Sequence, residues 1–543
     1  MSSELAAVLA DAVDIDAAAR DLISSLGERP WGQVGPSVYE TARLVSLAPW
    51  LAGHAERVAF LLHSQRADGG WGPPDGYALV PTLSATEALL AVVRAGGSGA
   101  APVVAGPAAA AAGGLRALAG WLPAADLLLP DTPGVDVIVP SLVAAINDHL
   151  AEADATAAPA LASWRGVRLD LPAGLTDERL VRVRHALATG RELPAKLLHF
   201  LEVLGPGARR AAGIRPVLPG TVGASPAATV AWLGGPPAAG DPARAHLENV
   251  ARGGPVPCPL PITVFEQAWV VSELTRAGAR FVAPTAILES LTAALGPVGT
   301  PTGPGLPADA DTTAVALYAL GTLGRPADPR GLWTYETADG FCTWPGEDGF
   351  SITTNAHVLD AFGHHVRGTR AAPRYVATVD RLTAVLREHQ QPDGQWRDRW
   401  HASPYYATAS CARALRDHGR GTSVAEAVAK AVDWVLDTQR PDGSWGRWDG
   451  TVEESAYALL TLLAAHPTAR IDAAVRRGYA YLRSAVGRRP DPPLWYGKEL
   501  YHPVAVVRAA VLAAFRLARH RQDRATAEGG AILPIPPQRV GKP

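Results

Sequence analysis

Cysteine is scarce in this chain. Cys258, Cys342 and Cys411 are too few and too scattered for a disulfide framework or a CxxC metal site, so a reducing cytosol is the expected setting. No GxGxxG turn or P-loop is present, which leaves a nucleotide cofactor without sequence support. HExxH is missing, the histidines are dispersed, and no GxSxG elbow supports a nucleophilic serine. There is no basic block, and the formal net charge is −2, so nucleic acid is not an expected partner. No basic stretch precedes an apolar one at the N-terminus, and the apolar run over residues 101–112 is broken by Pro102, Gly106 and Pro107. These absences together predict a soluble cytoplasmic protein.

What is present is apolar and helical. With 48% hydrophobic residues over 543 positions, two or three cores are expected. Residues 5–26 read as one helix, with Asp14-Ile15-Asp16 inside it in a structural role. A phrase then recurs along the chain: Gln65-Arg66-Ala67-Asp68-Gly69-Gly70-Trp71, Gln391-Pro392-Asp393-Gly394-Gln395-Trp396 and Gln439-Arg440-Pro441-Asp442-Gly443-Ser444-Trp445. Weaker copies stand at Asp339-Gly340-Phe341 and around Asp491 and Trp495. In the C-terminal half the aspartates are spaced by 54, 49 and 49 residues, the mark of a helical-hairpin array. The Gln and Trp are expected to tie each turn to neighbouring helices. Closure into an α/α-barrel is favoured over an open solenoid, and the upstream copy implies a related domain. Residues 95–114, 216–224 and 234–242 read as loops. No sustained β alternation appears, so the fold class is all-α.

One stretch carries candidate chemistry. Asp309-Ala310-Asp311-Thr312-Thr313 follows Pro307 and runs into an apolar helical segment, so it sits at a helix N-terminus. Two carboxylates there are ordinarily a cap and a first-turn acid. In a dry cavity the same pair can act as an acid, with Asp309, Thr312 and Thr313 orienting Asp311. Aromatic residues crowd the C-terminal half, among them Trp344, Trp400, Tyr405, Tyr406, Tyr457 and Trp495. Most must be core, while a few facing a cavity would stabilise a cation. A zinc-dependent prenyltransferase-like barrel and a non-catalytic scaffold remain the competing classes.

The stretch from Asp309 to Ala314 resembles the DxDD-T-A motif of class II terpene cyclases, the protonation-initiated family. Further segments resemble its diterpene branch in order: Ser37 to Ala42, Leu197 to Glu202, Gly223 to Thr229 and Val264 to Trp269. Trp400 to Tyr406 and Trp495 to Pro503 resemble bacterial members. The resemblance implies a βγ architecture of two α/α-barrels. Residues 1–30 and 286–520 would form the β domain, 31–285 the inserted γ domain, and 521–543 a disordered tail. It implies that Asp311 protonates the terminal alkene of a linear prenyl diphosphate, oriented by Asp309 and the threonines, with the diphosphate retained. The absence of any Asp-Asp dipeptide agrees, since ionisation-type synthases use one for magnesium. His199 matches a position that holds the deprotonating water, while Lys196 and Lys498 are candidates for the diphosphate. Trp269, Trp344, Trp400 and Tyr405 are candidates to line the substrate. Mg2+ is expected with the diphosphate, its ligands unassigned. Thr312 replaces the third aspartate, a variant of drimenyl- and halimadienyl-type enzymes. Farnesyl diphosphate is slightly favoured as substrate, with geranylgeranyl diphosphate the alternative.

Overall fold

Each Gln-Asp-Gly-Trp phrase closes one helix onto the next. Trp71, Trp396 and Trp445 are fully buried, and each indole N–H donates across 2.7 Å to a carbonyl ten residues earlier, at Leu61, Leu386 and Val435. Their backbone N–H groups donate to Thr82, Thr408 and Ser455 in the following helix. Gln65 and Gln439 donate to the carbonyls of Gly69 and Gly443, and across to Ala110 and Ala474. In the middle copy the tie falls to Gln390, not Gln391, because the side chain must span four residues to Gly394. The turn glycines have positive φ, and a Cβ at Gly394 would stand 2.3 Å from the Lys430 carbonyl oxygen.

These ties stack helices into two closed rings in a computed structural model that describes residues 14–29, 31–97, 105–152, 159–347, 349–368, 371–487 and 491–527. In the N-terminal ring, α1 (Val38–Leu47), α2 (Leu79–Gly97) and α3 (Val135–Ala151) pack in succession. The 3-10 segment Ala195–Ala208 and α4 (Pro226–Leu233) return the ring to α1. In the C-terminal ring, six helices each pack on the next: α5 (Thr263–Arg276), α6 (Ala310–Thr322), α7 (Ile352–Gly368), α8 (Pro404–His418), α9 (Val452–Leu463) and α10 (Val504–Ala527). The last closes on the first. Shorter or more amphipathic helices form an outer layer around both. Two two-stranded antiparallel pairs interrupt the helices: β1 (Thr300–Pro301) with β2 (Ala308–Asp309), and β3 (Trp495–Tyr496) with β4 (Leu500–Tyr501).

Several local expectations change. Among the described residues the first helix is Ile15–Ser25, and Asp14 caps it by accepting from the Asp16 and Ala17 N–H groups, so that pair is a cap rather than mid-helix; residues 5–13 of the expected helix lie outside the described residues. Residues 95–114 are not a loop where described: α2 runs to Gly97 and a helix spans Ala105–Trp121. Alanine favours the helix, and Gly114 lets it approach α2, since a Cβ there would stand 2.1 Å from Thr86 Oγ1. Helix α5 shares its core with the C-terminal ring, as does Ile15–Ser25, so packing divides the chain near residue 260 rather than 285. Residues 521–527 continue α10 instead of fraying, and the remainder of the expected tail lies outside the described residues. Among the described residues one helix, 75–96, is long and apolar enough to cross a membrane, and 89% of its apolar window is buried in the ring.

Candidate active site

Asp309 ends β2 and caps α6, accepting from the Thr312 N–H at 2.6 Å. Its second oxygen accepts from Thr312 Oγ1 at 2.9 Å and Thr302 Oγ1 at 3.2 Å. Thr313 Oγ1 donates to the Asp309 carbonyl and accepts from the Thr300 N–H, fixing the strand pair on the helix start. Asp309 is 2% exposed. Burial pushes its carboxyl up to about 7, hydrogen bonds from Thr312 work against this, and the charge of Asp311 adds to it.

Two residues on, Asp311 points into a different environment. Its side chain is 16% exposed, and its Oδ1 lies 2.6 Å from Nδ1 of His357 on α7. Burial opposes charge on His357, but the Asp311 carboxylate outweighs it and raises the imidazole above its ordinary value. No motif marked His357, which lies 46 residues from its partner. The signal was the helical spacing of polar residues on an otherwise apolar inner helix.

An aromatic wall adjoins this pair. His357 meets the Trp269 ring edge-on at 5.4 Å, and Trp269 packs on Phe265 at 4.2 Å and donates to Tyr406 OH at 3.0 Å. Tyr406 in turn packs on Trp495 at 4.6 Å and Tyr457 at 5.1 Å. The expected lumen residue Tyr405 is misplaced by one position: it packs on Trp434 of the outer layer at 4.7 Å, because neighbours in a helix point about 100° apart. Trp344 and Trp400 meet edge to face at 5.3 Å, and Trp400 donates to Thr343, whose carbonyl accepts from the Ala310 N–H. They therefore flank the start of α6. Below His357 a small cavity of about 50 Å³ is lined by Ser272, Ser410 and Tyr457 and floored by ion pairs. There Arg276 grips Asp360 and Asp417, and Arg413 grips Glu273.

Other expected residues lie elsewhere. Lys498 is not free for a diphosphate. It is 2% exposed, and its three N–H donors are spent on Glu40 (2.6 Å), Glu202 (2.6 Å) and Ser225 (2.8 Å) of the N-terminal ring. It is the bolt between the rings, carried on the β3–β4 turn. His199 has Nδ1 on the Gly223 carbonyl at 2.5 Å and Nε2 facing Cys258 Sγ at 3.8 Å. Burial, with the nearby Lys498 charge, holds it down to about 4, so it is neutral, and no contact joins it to Asp311. Lys196 is half-buried at the start of the same 3-10 segment, with no ion pair among the described residues.

Known proteins resemble this arrangement closely. Residues 348–493 match the squalene-hopene cyclase C-terminal domain. The chain is 45% identical to ent-copalyl diphosphate synthase of Streptomyces sp. (strain KO-3988), over 91% of this chain and 94% of that one. It belongs to the class II terpene cyclases. It is also 41% identical to labda-7,13-dienyl diphosphate synthase of Streptomyces clavuligerus, covering 96% and 95% of the two chains. The solved ent-copalyl diphosphate synthase of Streptomyces platensis superposes with a TM-score of 0.88 at 45% identity, over 93% of this chain and 99% of that one. The two rings are thus the βγ pair of a class II cyclase, and the chain is an enzyme of that class. The zinc-barrel and scaffold alternatives fall away.

Proposed function

We propose that this cyclase protonates the terminal alkene of geranylgeranyl diphosphate and closes it to a copalyl-type bicyclic diphosphate, with the diphosphate retained. The observation that carries the proton-transfer step is the Asp311–His357 contact at the head of α6, beside the aromatic wall. Asp311 delivers its proton to the alkene. A positive His357 then compensates the carboxylate that remains, while Asp309 and the threonines hold the helix start rigid. Aromatic faces of Trp269, Tyr406 and Trp495 favour the tertiary cations that follow. The polar space under His357 offers water a way back to recharge the acid.

The C20 reading rests on the relatives: copalyl and labdadienyl diphosphate synthases, at 41–45% identity over nearly the whole chain, favour it over the farnesyl lean. Of the lysines considered for the diphosphate, Lys196 remains the candidate, since Lys498 is spent. His199 remains a candidate only for a structural or indirect part in termination. Magnesium would be carried mainly by diphosphate oxygens with one or two carboxylates. Among the described residues no group of three His, Cys, Asp or Glu is arranged to cage a metal, so a protein-only site does not fit. Incubating the protein with C15 and C20 diphosphates side by side tests the reading. A bicyclic alcohol after phosphatase treatment is expected from the C20 substrate. Linear alcohols from both would reject it.

A further inference from the structure

Thr302 lies in no motif and in no helix. It follows β1 directly, and its carbonyl accepts the Phe265 N–H at 3.1 Å. Gly303 next to it passes so close to the chain before α5 that a Cβ would stand 2.3 Å from the Pro261 carbonyl oxygen. The backbone at Thr302 is therefore fixed from both sides. Its hydroxyl stands 3.2 Å from Asp309 Oδ2 and 3.2 Å from Thr312 Oγ1, and Thr312 Oγ1 is 2.9 Å from the same Oδ2. Three oxygens form a closed triangle.

We propose that Thr302 is a positioning residue of the acid site, whose hydroxyl, with that of Thr312, stands in for the carboxylate absent at position 312. The inference rests on the reading of Asp311 as the acid. A carboxylate at 312 would place a third negative charge beside two others. A hydroxyl there removes the charge but brings a single proton, and one hydroxyl cannot serve as both donor and acceptor to Asp309 while staying satisfied itself. Two hydroxyls can. With Asp309 ionised, both donate to Oδ2. With a proton on Oδ2, Asp309 donates to one hydroxyl, and that hydroxyl turns its own proton to the other. Either state is accommodated without an orphaned buried group, whose cost is otherwise large. Asp309 therefore keeps one orientation throughout the cycle, and through the cap it keeps the first turn of α6, and Asp311 with it, in place. The other titratable groups facing Asp309 are Asp311 on the same helix, Tyr335 from the 3-10 segment Pro329–Tyr335 and Tyr501 from β4, with His357 behind Asp311. The buried carboxyl, pushed up to about 7, titrates in the range where activity is measured.

The test is steady-state kinetics on the full chain with geranylgeranyl diphosphate and magnesium. Thr302→Val is expected to lower kcat about tenfold with KM within about twofold, the loss of one hydrogen bond felt in the transition state. It should also move the alkaline limb of kcat/KM to higher pH, because a donor to the ionised form of Asp309 is gone. Thr302→Ser should restore both. In a double-mutant cycle with Thr312→Val, the losses should be less than multiplicative, since the two hydroxyls act as a unit. A Thr302→Val enzyme with wild-type kcat and an unmoved limb overturns the proposal, as do independent, multiplicative losses. If Thr302→Val lowers only Tm, the residue is structural and the proposal also fails. Asp311→Asn run alongside separates the two readings: should it retain wild-type cyclisation, the assignment of the acid has failed whatever Thr302 does.

Discussion

His357 reaches Asp311 from the neighbouring inner helix, Nδ1 to Oδ1 across 2.6 Å, so that the counter-group of the proposed acid comes from a different turn of the ring than Asp309 and the threonines. That arrangement separates two jobs. Asp309 and the threonines hold the helix start, and His357 handles charge. His357→Phe is expected to cut kcat by roughly 100-fold or more, as for loss of a general acid–base partner. The sign of the stability effect follows from the raised imidazole value. The contact stabilises the fold fully below the ordinary histidine range near 6.5, and that contribution is lost as pH rises through the raised value. Denaturation of wild type and variant at pH 6 and pH 9 checks this: the gap between them should narrow at pH 9.

Asp309 has the opposite economy of charge from a salt-bridged carboxylate. Its folded value near 7 lies above the ordinary 3.8, so stability is fully present below about 3.8 and lost as pH climbs through 7. Asp309→Asn removes a titration worth at most roughly 4 kcal/mol. The variant should therefore gain Tm relative to wild type at pH 8 compared with pH 5, while its activity falls. Thermal melts at the two pH values decide it, and equal differences at both would contradict the account.

Lys498 binds the two rings rather than a substrate. Lys498→Met leaves Glu40 and Glu202 buried without their cation, and is expected to destabilise the protein by about 3–5 kcal/mol. At a temperature where the variant is still folded, KM for the diphosphate should stay near wild type. A large rise in KM with unchanged stability would return Lys498 to the substrate.

Tyr405 and Tyr406 are neighbours with different fates. Tyr406→Phe removes the acceptor of the Trp269 indole N–H in the aromatic wall and should lower kcat or alter the product mixture. Tyr405→Phe lies against Trp434 and should leave both unchanged. Product profiles by gas chromatography separate them.

The rings and the capping aspartate ahead of α6 were legible in the chain because both depend on local chemistry. The Gln-Asp-Gly-Trp phrase encodes its own turn, and an aspartate ahead of an apolar run encodes a cap. What escaped depends on partners brought together by closure. His357 is an isolated histidine until α7 lies beside α6, and Thr302 is a loop threonine until β1 pairs with β2. Lys498 sits between glycine and glutamate in sequence, and only the meeting of the two rings supplies the two glutamates that bury it. The slip from Gln390 to Gln391, and from Tyr406 to Tyr405, shows the same limit at the scale of one residue: a motif gives spacing, and a helix face needs a direction.

The most direct test is the fate of geranylgeranyl diphosphate with wild type and with Asp311→Ala under identical conditions. Wild type should yield a bicyclic diphosphate, identified by NMR of the dephosphorylated alcohol, and Asp311→Ala, still folded by its melting curve, should return only linear geranylgeraniol. Cyclisation by the Asp311→Ala protein at the wild-type rate would contradict the assignment of the acid.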